Sequence, residues 1–145
     1  MCIRDSNEGL KLLERGDGLS ASNKFNEAEL LYPQSIWAPR SSLMSAYSLY
    51  TSMYFIDAID ELDRFFKVYP KHEREGYAYY LLAICYYDQI VDEKKDLGPL
   101  LKAKKKFEFI MENFPDTDYA TDSRFKIDLI IDQLAAKEML SLIHI

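Results

Sequence analysis

Along this chain, apolar side chains recur at helical spacing behind an alanine, and each such run stops at a proline. Three copies carry the pattern: Ala21, Phe25, Ala28 and Pro33; Ala58, Leu62, Phe65 and Pro70; Ala103, Phe107, Ile110 and Pro115. Steps of four and three residues put these side chains on one face of an α-helix, and proline stops the helix because it has no N–H to donate. The pattern predicts the second helix of a repeated helix-turn-helix unit.

A partner helix is expected upstream of each alanine, reading aromatic-x2-Leu-Gly/Ala-x2-Tyr in a tetratricopeptide unit. The third copy does so with Tyr79, Leu82, Ala83 and Tyr86; the second is looser, with Ala46 and Leu49, and the first keeps Gly9 and Leu12. Ala46 and Ala83 both lie thirteen residues past the preceding proline, so the turn between repeats is constant. Ala46 to Ala58 is twelve residues and Ala83 to Ala103 is twenty, which implies an eight-residue insertion in copy three. The charged stretch Asp92–Pro99, with Gly98 and Pro99, is the natural place for it. A generic helical bundle would not repeat the same offsets three times. The predicted fold is all-α, a tetratricopeptide-like helical-hairpin solenoid of about three repeats plus one extra helix.

The expected helices are Asn7 to about Arg15, Leu19–Tyr32, Pro39 to about Met53, Phe55–Tyr69, Glu73 to about Val91, Leu100–Phe114, and Asp116 or later to about Met139. Gly16 and Gly18 around Asp17 suit a tight turn, since glycine reaches positive φ. Pro39 suits a first helical turn, and Asp116, Thr117 and Asp118 offer acceptors to the open N–H groups of the last helix. The apolar stripe of that helix, Phe125, Leu129, Ile130 and Leu134, is expected to pack on copy three.

At 145 residues, 48% apolar and 14% aromatic, the chain is one domain's worth with enough material for a core. A net charge of −6 argues against a nucleic-acid surface. The run Lys102, Lys104, Lys105, Lys106 reads as the solvated side of a helix whose buried side holds Ala103 and Phe107. No window approaches the ~20 apolar residues of a membrane span.

Both ends are expected to be foreign to the protein. Met1–Ser6 can be encoded by ATG TGT ATA AGA GAC AG, and Leu140–Ile145 can begin with its reverse complement; both resemble the transposase mosaic end used in sequencing libraries. The domain is then 7–139, flanked by library-derived segments at 1–6 and 140–145. Cys2 and His144 drop out, leaving Cys85 and His72, and one cysteine makes no internal disulfide.

Candidate chemistry is sparse. A single histidine, His72, in the turn after Pro70 gives no metal cluster. The carboxylates Asp57, Asp60, Glu61 and Asp63 lie opposite Ala58, Leu62 and Phe65, as a solvated helix face does. No phosphate loop, nucleophile elbow or calcium loop occurs. Neither an enzyme, a cofactor nor a metal is expected.

Tyrosine is the informative residue for binding. In a superhelix of helix pairs the first helix of each pair lines the concave side. Counted from Ala46, the groove-facing positions are Arg40, Leu43, Tyr47 and Tyr50; counted from Ala83 they are Tyr77, Tyr80, Ile84 and Tyr87, with Asp88 beside the last. Tyrosine combines a broad apolar face with one hydroxyl and few rotors to freeze, which suits an extended, partly aromatic peptide. The competing reading is that several of these rings fill helix packing.

With these residues in view, the chain resembles the BamD family, outer-membrane assembly lipoproteins built of tetratricopeptide repeats. The resemblance rests on Tyr32-Pro33, on Ala46-Tyr47-Ser48-Leu49-Tyr50, on Asp63-Arg64-Phe65 leading to Tyr69-Pro70, on the insertion of copy three, and on the stretch Phe114-Pro115-Asp116-Thr117-Asp118-Tyr119-Ala120-Thr121-Asp122. It runs from about Leu10 to Met139 and implies the first three repeats and the first helix of a fourth. It further implies a non-catalytic subunit of the β-barrel assembly machinery on the periplasmic face of the outer membrane. The partners implied are the other subunits of that complex and unfolded outer-membrane protein segments, with membrane contact only through a lipid anchor that this fragment lacks. No nucleic acid is implied. Another periplasmic tetratricopeptide adaptor in cell-envelope organisation, or a structural spacer without peptide affinity, would share the helix grammar.

Overall fold

The computed structural model describes residues 2–89 and 98–143, with side chains for 7–89 and 98–136. Among the described residues seven helices follow one another: α1 Cys2–Glu14, α2 Gly18–Leu31, α3 Trp37–Thr51, α4 Phe55–Val68, α5 Glu75–Gln89, α6 Gly98–Asn113 and α7 Asp118–Ile143. There is no strand among the described residues. The order is the tetratricopeptide-like one: hairpins α1/α2, α3/α4 and α5/α6, then α7 alone. Of the expected insertion Asp92–Pro99, only Gly98 and Pro99 fall within the described residues, where they open α6; the side chains of both end segments also lie outside them.

The chain divides into two compact units, Met1–Ala78 and Tyr79–Ile145. In the first, α1 packs on α2, α2 on α3 and α3 on α4. The nine alanine, phenylalanine, leucine and isoleucine residues of the three-copy pattern are buried: Ala21, Phe25, Ala28, Ala58, Leu62 and Phe65 here, and Ala103, Phe107 and Ile110 in the second unit. The small packing residues Ala46 and Ala83 are fully buried as well.

Between α1 and α2, Gly16 has φ 82°, the left-handed conformation that costs glycine little. Asp17 caps α2, its carboxylate accepting from the Ser20 N–H at 3.1 Å; hydrogen bonding to the Ser20 side chain first, and to its backbone N–H second, holds its pKa below the ordinary value. Gly18 serves a different purpose from the one its place in a turn suggested. Its N–H donates to Ser52 Oγ at 2.9 Å, and a Cβ there would collide with the Ser48 carbonyl and the Ser52 hydroxyl. The glycine is needed for close approach of α2 to the end of α3, not for its φ. Gly9 likewise lies flat against Phe25, where a Cβ would stand 2.8 Å from the ring.

The α2–α3 seam is lined by small hydroxyl side chains. Ser22, Ser41, Ser42, Ser45 and Ser48 are all buried; the Ser22 and Ser45 hydroxyls lie 2.6 Å apart, and Ser48 Oγ donates to the Met44 carbonyl at 2.7 Å. Each hydroxyl that bonds offsets its own loss of water. Tyr32 and Tyr69 end α2 and α4 with nearly the same backbone, φ −135° ψ 66° and φ −124° ψ 64°, outside the helical region that the following proline disfavours.

In the second unit, Ala83 of α5, Leu100, Ala103, Phe107 and Ile110 of α6, and Ile130 of α7 form one core. Thr117 opens α7, its hydroxyl accepting from the Ala120 N–H at 3.3 Å. The expected stripe of α7 is half right. Ile130 is fully buried and Leu134 packs beside it, but Phe125 is 65% exposed and Leu129 47%. The inward face instead uses Tyr119, Ala120, Ser123 and Ile127, one step round the helix, and Ser123 Oγ is satisfied by the Tyr119 carbonyl at 2.6 Å. Large side chains misled the sequence reading, because small residues let α7 approach the core more closely.

Candidate functional site

The positions predicted to bind fall in both units. In the first, residues 40, 43, 47 and 50 share a face of α3. The Arg40 guanidinium stands 5.1 Å over the Trp37 ring. Leu43 is only 4% exposed and therefore packs the hairpin. Tyr47 and Tyr50 are half-buried, with ring centroids 6.4 Å apart, and Tyr50 continues to Phe55 at 5.8 Å. Tyr77, in the first turn of α5, is also half-buried. The structure thus brings Tyr47 and Tyr50 together with Phe55, an aromatic that repeat counting did not select because it opens the next helix.

In the second unit, Tyr80, Ile84, Tyr87 and Asp88 are half-buried along α5, and the first three pack against the core. Tyr80 lies 5.4 Å from Tyr119 and 6.4 Å from Phe107, and its hydroxyl donates to the Asp122 carboxylate. Tyr87 lies 6.4 Å from Phe107, with Lys126 Nζ 4.8 Å over its ring. Asp88 sits near buried Cys85; burial first, and that carboxylate second, push the thiol up to about 12. A thiol so held is no nucleophile. Tyr119, Asp122 and Lys126 were missed by sequence reasoning. Their spacing of three and four repeats the phase of Tyr80, Ile84 and Tyr87 and was the available signal.

A polar clasp joins α2 to α4 in the first unit. Glu29, buried near the end of α2, accepts from Arg64 at 2.7 Å and from the Tyr69 hydroxyl at 3.0 Å. Arg64 also donates to Glu61 at 3.0 Å and to Ser42 Oγ at 3.3 Å. Burial opposes the charge on Arg64, but its bonds to Glu29 and Glu61 outweigh this and raise its pKa. Burial and the neighbouring Glu29 carboxylate raise Tyr69 to about 12. Of the four acids expected on a solvated face, Asp57, Asp60 and Asp63 are exposed, whereas Glu61 is recruited to this clasp.

Among the described residues no group of three or more His, Cys, Asp and Glu side chains could hold a metal, and no helix is long and apolar enough to cross a membrane. A depression of about 230 Å³ lined by Met111, Pro115, Ala120, Thr121 and Arg124 contains none of the predicted residues. It falls short of the ~300–1,000 Å³ of ordinary small-molecule sites.

The family model YfiO, described as outer membrane lipoprotein, matches residues 6–142. The chain is 42% identical over 131 residues to the outer membrane protein assembly factor BamD of Caulobacter vibrioides, covering 90% of this chain and 43% of that protein. It is 38% identical over 134 residues to the BamD of Rickettsia prowazekii, covering 92% and 53%. For the BamD of Xylella fastidiosa strain Temecula1 the figures are 28% over 138 residues, covering 88% and 47%. The chain spans about half the length of the curated relatives it matches.

Proposed function

The chain belongs to the YfiO family of outer membrane lipoproteins, and on that premise we propose that it acts, without catalysis, in outer-membrane protein assembly by holding unfolded β-barrel segments. The observation that carries this reading is the pair of half-buried tyrosine faces, Tyr47 and Tyr50 beside Phe55 in the first unit, and Tyr80 and Tyr87 beside Asp122 and Lys126 in the second. Membrane β-strands alternate apolar and polar side chains and carry aromatic girdles. Tyrosine rings can stack on those aromatics while hydroxyls and the Asp122 and Lys126 head groups meet polar positions. The corresponding location is the periplasmic face of the outer membrane, with a lipid anchor in the whole protein, and the partners are the other subunits of the β-barrel assembly complex.

The test is binding of a fluorescent peptide copied from a barrel strand. Tyr47→Ala and Tyr50→Ala, with folding checked by circular dichroism, should each weaken binding about tenfold, since one aromatic contact of this kind contributes about 1–1.5 kcal/mol. Tyr80→Phe, which keeps the ring and drops the bond to Asp122, should have a smaller effect. Unchanged affinity in the two alanine variants would remove the tyrosine faces from the function.

A further inference from the structure

At the end of the first unit where α2 stops and α3 begins, large apolar side chains are exposed in a stretch poor in charge. Leu30 is 77% exposed, Leu31 63%, Ile36 74% and Trp37 42%. Residues 30–40 hold a single charge, Arg40, and no acid, in a chain whose net charge is −6. The end of α4 lies at the same end of the unit, because the Tyr69 hydroxyl reaches Glu29, one residue before Leu30. It adds exposed Val68 and, over 67–75, Lys67, Lys71 and Arg74 against Glu73 and Glu75.

The opposite end of the same helices provides an internal control. It also exposes apolar side chains, Leu19, Met53, Tyr54 and Ile56, but sets them among exposed Asp17, Asp57 and Asp60. Exposed apolar residues alone are ordinary. What distinguishes the α2–α3 end is that its tryptophan, leucines and isoleucine lie in a stretch, 30–40, with one cation and no acid, and that the adjoining 67–75 has three cations to two acids. That is the composition of a segment that sits in a bilayer interface, apolar groups at the acyl boundary and Lys or Arg at the phosphates. Trp37 with Arg40 over its ring is an interfacial pair of this kind, since the amphipathic indole favours the headgroup level.

We infer that the α2–α3 end of the first unit is a lipid-contacting surface, in which Leu31, Ile36 and Trp37 enter the headgroup region of an anionic phospholipid bilayer and Arg40 pairs with its phosphates. The inference rests on the proposed outer-membrane location and adds to it a membrane contact made by the folded domain itself. When that end is docked, Tyr47 and Tyr50 of the same unit take a fixed orientation relative to the bilayer.

The single tryptophan of the chain makes the test site-specific. The full chain is titrated with vesicles of phosphatidylethanolamine and phosphatidylglycerol while Trp37 emission is recorded. The expected result is a blue shift, quenching by lipids brominated on the acyl chains, and weakening as salt is added. Ile36→Glu and Leu31→Glu, both at exposed positions, should each reduce vesicle affinity about tenfold or more. Barrel-peptide binding should persist in both, which keeps this result separate from failure of the tyrosine faces. Trp37 emission unchanged at saturating lipid overturns the inference. So does co-sedimentation that survives both substitutions, which would put the contact elsewhere, and so does a blue shift given by an apolar peptide but not by vesicles, which would assign the patch to a protein partner.

Discussion

The two units use the same helix grammar to build different interiors. In Met1–Ala78 the α2–α3 seam is a row of buried serines, and α2 is tied to α4 through the Glu29–Arg64 ion pair and the Tyr69 hydroxyl. In Tyr79–Ile145 the helices meet through Leu100, Phe107, Ile110 and Ile130, with Tyr80, Tyr87 and Tyr119 packed around them. The shared Ala-x3-apolar-x2-apolar-x4-Pro pattern fixes where a helix packs and where it ends. It leaves open what the facing helix offers, so the first unit adds a buried ion pair and serine hydroxyls to its apolar core, while the second surrounds its core with tyrosines. Removing a large buried ring is costly in either unit, and in the first a further loss follows when one partner of the ion pair is removed and the other stays.

The largest expected effect comes from removing a fully buried ring, and Phe107 tests it in the second unit. Phe107→Ala empties the centre of a core shared by three helices and should cost about 3–5 kcal/mol. Urea unfolding followed by circular dichroism should show the loss, while Trp37 emission, which reports the first unit, should move less. Equal shifts in both signals would mean that the two interiors do not act as separate cores.

Next comes the clasp. Arg64→Ala leaves Glu29 buried without its cation. Because Arg64 is itself 37% exposed, the cost should be about 1–3 kcal/mol rather than that of a fully buried pair. Here Trp37 emission should follow the loss. The double variant Glu29→Met and Arg64→Met should recover most of it, since the apolar pair leaves no charge stranded. A double variant as unstable as Arg64→Ala alone would show that the clasp matters for packing volume and not for charge.

The contrast explains what the sequence disclosed. Helix positions were legible because proline and alanine spacing are local properties, and every residue of the three-copy pattern other than its prolines is buried. The clasp was not legible: Glu29 and Arg64 are 35 residues apart, and a glutamate on a helix gives no sign that its partner lies two helices on. Tyr80 and Tyr87 were found by repeat phase, but their partners Asp122 and Lys126 come from a helix whose inward face was assigned to the larger side chains Phe125 and Leu129. Size was a poor guide there because Ala120 and Ser123 take the close-contact positions.

A third effect appears only in alkali. Cys85 in the second unit has an ordinary value of 9.0 and Tyr69 in the first 10.0, and both are raised to about 12. In each case the folded state holds the proton more tightly than the unfolded chain. The contribution is fully present below the unfolded value and is lost as pH climbs toward the folded one. The second unit should begin to weaken near pH 9.0 and the first near 10.0, with no change through neutrality. Melting followed by circular dichroism and by Trp37 emission across this range checks the order. Cys85→Ala should remove the earlier loss and Tyr69→Phe the later one; a single loss common to both probes and unaltered by either substitution would contradict the assignment.

The smallest effect concerns the turns. Among the described residues the non-glycine positions with positive φ are Met53 at 68° and Lys71 at 58°, both in the first unit. A left-handed residue with a side chain costs roughly 1–2 kcal/mol, and glycine relieves this while giving back about 0.5–1 kcal/mol through its freer unfolded chain. Met53→Gly should then stabilise the first unit by about 0.5–1 kcal/mol, because the Met53 side chain is 73% exposed and gives up little contact. Met53→Ala, which keeps a Cβ, should give no gain, and Lys71→Gly should repeat the effect. If alanine stabilised as much as glycine, the gain would come from removing an exposed apolar side chain, and backbone strain would not be what sets the turns of the first unit apart.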